Sequence, residues 1–237
     1  MSNSERPIVF AAPMVRAILE GRKTQTRRVM NPQPDGFWGS MKHALAGGVL
    51  QCVVLSDGKP KDHYLRCPYG VPGDHLWVRE TFGTWRRTSV EYPLEWDIIT
   101  GNLTEYVEEY GRQDINIAYR ADGDDGSGWR PSIFMPRWAS RITLDIVSVR
   151  VQRVQDISDE DAIAEGIVKR GEFPNITPWT NYEAPHGCPG AMHFSTPKRS
   201  FQSLWDSINA KRGFGWDKNP WVWAISFSER QRVGRLM

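Results

Sequence analysis

The sequence predicts an α+β fold, and three observations carry that prediction. Apolar residues recur at helical spacing only in short segments, near residues 13–20, 158–165 and 197–211. Period-two alternation marks strands, most clearly over 141–154. Helices and strands do not alternate regularly along the chain, which argues against a doubly wound sheet.

Taken in order, Pro13 suits the first turn of a helix. Met14, Ala17 and Ile18 share one face of it, and Gly21 is its stop. Residues 23–30, rich in Thr and Arg, read as extended. Residues 31–65 are punctuated by Pro32, Pro34, Gly36, Gly39, Gly47, Gly48 and Gly58, the pattern of a loop-rich insertion, with a strand at 49–55. A turn built on Pro68, Gly70, Pro72 and Gly73 precedes a strand over 76–81. Its Leu76 and Val78 occupy one face, Trp77 and Arg79 the other. Residues 83–115 show no clear period. A strand over 115–120 ends in the turn-prone stretch 121–128.

The region 141–154 is the clearest strand. Ile142, Leu144 and Ile146 alternate, then Val147, Val149 and Val151 alternate in the opposite phase. Such a flip predicts a β-bulge or a change of strand, the device by which barrels bend. Ser158 and Asp161 cap a second helix that runs to about Glu165 and stops at Gly166. Residues 170–196 form another loop-rich insertion. Thr196 and Pro197 open a third helix to about Lys211, with Phe201, Leu204, Trp205 and Ile208 as its apolar stripe. Residues 220–228 form the closing strand.

Composition is that of a globular protein, 40% hydrophobic and 24% charged, with 11 Trp. A net charge of +2 is too small to establish nucleic-acid binding. The cations are clustered, however: Arg22, Lys23, Arg27 and Arg28 form one group, and Arg86 with Arg87 and Arg137 with Arg141 form others. Cys52, Cys67 and Cys188 are odd in number and irregularly spaced, so no disulfide framework is expected and a cytoplasmic location is. The N-terminus lacks the pattern of a signal peptide, and no membrane span is expected. Cys67, Cys188, His186 and His193 do not have metal-site spacing; neither a metal nor a cofactor is expected.

Three stretches stand out together: ILEGRKTQTRR at 18–28, PGDHLWVRE at 72–80 and ISDEDAIAEGI at 157–167. This combination resembles the ASCH family of the PUA-like superfamily, and in particular its longer members from phage and prophage genomes. The resemblance implies one domain over 1–237, with insertions near 31–65, 85–115 and 170–196. It implies a small β-barrel with flanking helices and a cleft beside the first helix. Some small bacterial members are amidohydrolases that remove the acetyl group of N4-acetylcytidine. By motif, Lys23 and Thr26 match their catalytic Lys and Thr, and Glu165 their Glu, with Glu160 and Asp161 as rivals.

The chemistry suits those residue types. A Thr hydroxyl becomes a nucleophile when a base takes its proton, and a Lys is such a base when burial or nearby cations lower its pKa. A carboxylic acid then protonates the leaving amine. In an extended segment Lys23 and Thr26 point to opposite faces, so the pairing calls for a turn or bulge at Thr24–Gln25. Candidate substrate-binding residues are Arg28, Trp77, Arg79 and Glu80, with Arg137 and Trp138 from the aromatic–basic stretch 132–141. The alternative is that Trp77 packs in the core and Arg79 pairs with Glu80 or Asp74. Two further functions stay open: a non-catalytic module that binds RNA or modified DNA, and a ribonuclease. The expected partner is a nucleoside or nucleic acid, RNA ahead of DNA. PUA-like folds host both binding and catalysis, so the fold cannot choose between them.

Overall fold

The computed structural model describes residues 3–33, 49–56, 59–87, 96–98, 115–123, 128–170, 178–183 and 193–230. In these the chain is α+β. Its strands are β1 (Glu5–Val9), β2 (Gln25–Val29), β3 (Val49–Ser56), β4 (Lys59–Arg66), β5 (His75–Arg79), β6 (Phe82–Arg87), β7 (Trp96–Ile98), β8 (Ile115–Tyr119), β9 (Thr143–Arg153) and β10 (Trp221–Glu229). The helices are α1 (Ala12–Leu19), α2 (Asp159–Ala164) and α3 (Pro197–Asn209).

The main sheet is mixed and five-stranded, in the order β1-β5-β9-β10-β2. Only β1 and β5 run parallel. No pairing joins β2 back to β1 among the described residues, so the sheet is open at that seam. A separate hairpin, β3-β4, and a small sheet, β7-β6-β8, lie outside it. The hairpin falls within 31–65, where one strand was expected and two form.

Strand β10 organises the interior because alternate residues feed two cores. Trp223, Ile225 and Phe227 join Ile8, Val15, Ile18, Leu76, Leu144 and Ile146 on one side. Val222 joins Phe201, Leu204, Trp205, Ile157 and Ala162 on the other, under α2 and α3. The phase flip in β9 has a clear cause. Ser226 pairs with Ser148 but Phe227 pairs with Ile146, so Val147 is the extra residue of a bulge and is 60% exposed. Beyond it Val149 and Val151 turn inward against the first core. The caps also form as expected: Ser158 accepts from Asp161 N–H and Thr196 from Arg199 N–H. Ile208 departs from the expected stripe; it is 53% exposed, while Phe201, Leu204 and Trp205 are buried. No described helix is long and apolar enough to cross a membrane.

Candidate functional site

Two helix ends place the central residues. At the end of α1, Gly21 takes a left-handed φ of 71°, and the N–H groups of Arg22 and Lys23 both donate to the Ala17 carbonyl. At the end of α2, Gly166 takes φ 85°. The two exits meet: Lys23 and Glu165 form an isolated antiparallel bridge, and Thr24 N–H donates to Ala164 O at 2.9 Å. The approach requires glycine. A Cβ on residue 166 would lie 2.9 Å from Lys23 Cβ and 3.0 Å from Ala17 Cβ.

Charge is concentrated at this junction. Lys23 Nζ donates to Glu165 Oε2, to the Glu165 carbonyl and to the Gln25 carbonyl, each at 2.8 Å. Arg27 binds the other oxygen, Glu165 Oε1, at 3.1 Å and Asp161 Oδ2 at 2.8 Å. Arg150 reaches Asp161 from outside at 2.9 Å, and Gln25 donates to Asp161 Oδ1. The side chains of Lys23, Arg27 and Glu165 are only 2%, 0% and 5% exposed. Burial pulls the Lys23 pKa below its ordinary value; Glu165 opposes the shift, and Arg28 and Arg27 add to it. Burial pushes the Asp161 carboxyl up, but hydrogen bonds from Gln25, Arg150 and Arg27 outweigh it and hold the group below its usual pKa.

These residues form one wall of a cleft of about 430 Å³ at the junction of α1, β2 and α3. That volume is ordinary for a small-molecule site, roughly 300–1,000 Å³. Lys23, Thr26, Arg28 and Glu165 all line it. The Thr26 hydroxyl makes no hydrogen bond to a described residue. The turn expected at Thr24–Gln25 is absent. Thr24 O accepts from Phe227 N–H, continuing the ladder in which Gln25 faces Ser226. The long Lys23 side chain reaches the Gln25 carbonyl at 2.8 Å, and no hydrogen bond joins it to the Thr26 hydroxyl among the described residues.

The other candidates lie elsewhere. Trp77 is buried, with the Arg79 guanidinium 4.6 Å above its ring, and Arg79 donates to the Ile133 carbonyl. Thus Arg79 pairs with neither Glu80 nor Asp74 in the described hydrogen bonds and ion pairs. Glu80 is 1% exposed and is gripped by Arg141 through both oxygens, at 2.9 and 3.1 Å. Arg137 is engaged with Glu5 at 2.9 Å, an exposed pair, and Trp138 packs against the Phe82 cluster. None of these five lines the cleft; of the expected binding residues only Arg28 does. Of the rivals to Glu165, Asp161 belongs to the buried network one layer back and Glu160 is exposed.

The cleft also has residues that pattern-reading assigned to packing or passed over. Phe10 lies beneath two cations, 5.0 Å from the Arg28 guanidinium and 5.6 Å from Lys23 Nζ. Phe201, Leu204 and Trp205, from the apolar stripe of α3, both fill the core and face the cleft. Tyr69 and Arg212 carried no sequence signal, because their approach depends on the tertiary fold. No group of three or more potential metal-binding His, Cys, Asp or Glu residues occurs among the described residues. His186 and Cys188 lie outside them, and Cys67 is a buried free thiol with its pKa pushed up to about 11 by burial. Comparison with family models, curated proteins and solved structures found no match.

Proposed function

We propose that the chain is an ASCH-type, PUA-like domain that hydrolyses the amide of an acylated nucleobase or nucleoside, N4-acetylcytidine being the type substrate. One observation carries the reading. Lys23, Thr26 and Glu165 come from two motifs 140 positions apart, yet they line a single cleft beside α1, with Lys23 and Glu165 2.8 Å apart.

The pair supplies a balanced proton path. Moving one proton across the 2.8 Å contact converts the ion pair into neutral Lys23 and protonated Glu165, and burial favours the neutral form of Lys23. Lys23 then takes the Thr26 proton while Oγ attacks the acyl carbon, forming the C–O bond. Glu165 gives its proton to the leaving nitrogen as the C–N bond breaks. Water next cleaves the acyl-threonine, giving a proton to Glu165 while Lys23 returns one to Thr26.

A second reading is a binding module without chemistry, for RNA or modified DNA. Its support is that all three Lys23 protons are already bonded inside the protein, as in a structural ion pair. The decisive assay follows cytidine and acetate release from N4-acetylcytidine. Turnover is expected from the wild type, and a loss of at least about a thousandfold from Thr26→Val and Lys23→Ala with the fold retained by circular dichroism. Undiminished turnover in either variant rejects the mechanism. No turnover, together with RNA binding that weakens steeply with salt, supports the module instead.

A further inference from the structure

We infer that Arg28 and Arg212 form an anion subsite in the cleft, and that it takes the phosphate of a mononucleotide. The inference rests on the acyl-nucleobase reading for the base alone; the anion site itself rests on unbalanced charge. Four cations line the cleft: Lys23, Arg27, Arg28 and Arg212. Among the described residues its one acidic lining residue, Glu165, is occupied by Lys23 and Arg27. Arg28 and Arg212 have no carboxylate partner among the described residues.

Arg28 is anchored but not saturated. One Nη donates to the Val9 carbonyl at 2.7 Å and the guanidinium stacks on Phe10, while Nε is buried with no hydrogen-bond partner. A buried N–H without an acceptor is costly. Arg212, on the exposed turn after α3, Ala210–Arg212, lines the same cleft, as does Tyr69. Burial disfavours the Arg28 charge most; Tyr69 and Glu165 oppose that shift, and the Arg212 charge adds to it. Two guanidinium groups lining one cleft ask for more than one negative charge. A carboxylate brings one, whereas a phosphate monoester carries about −1.5 to −2 near neutral pH. Guanidinium forks also match phosphate oxygens in geometry.

The test measures binding directly, so it does not depend on turnover. Cytidine, cytidine 5′-monophosphate, inorganic phosphate and a short oligocytidylate are titrated by calorimetry into the wild type, Arg28→Gln and Arg212→Gln. The nucleotide should bind about tenfold to a hundredfold more tightly than the nucleoside. Arg212→Gln, an exposed substitution that leaves the interior intact, should remove most of that advantage without altering cytidine affinity. Arg28→Gln, if folded, should do the same. Equal affinities for nucleoside and nucleotide, no detectable binding, or an equal loss for both ligands in Arg212→Gln would overturn the subsite. Tighter binding of the oligocytidylate than of the mononucleotide would overturn the mononucleotide assignment. If phosphate-dependent binding appears but N4-acetylcytidine and its 5′-phosphate are both inert, amide hydrolysis fails while the subsite stands.

Discussion

Two buried carboxylates in this protein look alike in sequence and end in different surroundings. Glu165 and Glu80 each follow an apolar stretch, each lies within a motif, and each is bound by arginine through its side chain. Glu80 is held by Arg141, which is 21% exposed and also binds Asp122 at 2.8 Å, so the cluster drains to the surface. Burial raises the Glu80 pKa, and Arg141 pulls against it. Glu165 sits between two cations that are almost fully buried, and beside them the chain leaves a cleft. A salt bridge that merely closes a seam and one that faces a cleft therefore differ in what lies beyond the pair, not in their residue types.

Breaking each cluster separately tests this contrast. Glu165→Ala leaves Lys23 and Arg27 buried with their shared counter-ion gone; the expected loss is about 3–5 kcal/mol in chemical denaturation, together with any turnover. Glu80→Ala should cost less, about 1–3 kcal/mol, because Arg141 keeps Asp122 and water, and activity per folded molecule should not change. An equal cost for the two would erase the distinction. Gly166→Ala forces a left-handed φ on a residue whose Cβ meets Lys23, and should destabilise by about 1–3 kcal/mol while raising KM or lowering kcat. Unchanged stability would show that the two helix ends can separate freely.

The subtlest effect is on pH dependence. The Lys23 pKa is lowered in the folded chain, so between that depressed value and the ordinary 10.5 the unfolded chain holds more protons. Stability from this group therefore rises as pH rises through that window. Asp161 behaves oppositely in origin: its folded pKa lies below 3.8, its contribution is complete above that value and is lost as pH falls through the folded pKa. Glu165→Gln removes the carboxylate that keeps a proton on Lys23, so Lys23 becomes a neutral base at lower pH and the acid limb of the residual pH–rate profile should move to lower pH. An unmoved or raised limb would separate Lys23 from the titrating group.

Much of the fold was legible because its signals are local. The caps at Ser158 and Thr196, the glycine stops at 21 and 166 and the bulge at Val147 all follow from neighbours within a few residues. The strands β1 and β4 were not, since a five-residue polar–apolar stretch and a Lys-rich one have little periodicity of their own and acquire their state from pairing with β5 and β3. The site divides in the same way. Lys23, Thr26 and Glu165 were found through motif order, whereas Trp77, Arg79, Arg137 and Trp138 were chosen for residue type, and stacking or pairing holds them away from the cleft.

By itself the sequence determined the α+β character, three helices with their ends, and the central residues of the candidate site, because helix caps, alternation and short motifs act over a few bonds. Only the tertiary structure decided which charges are spent and which remain. Lys23 and Arg27 are neutralised by Glu165 across 142 and 138 residues of chain, while Arg28 and Arg212 line the cleft without a carboxylate partner among the described residues. That outcome depends on long-range strand order and on the meeting of two helix ends, which no local pattern specifies.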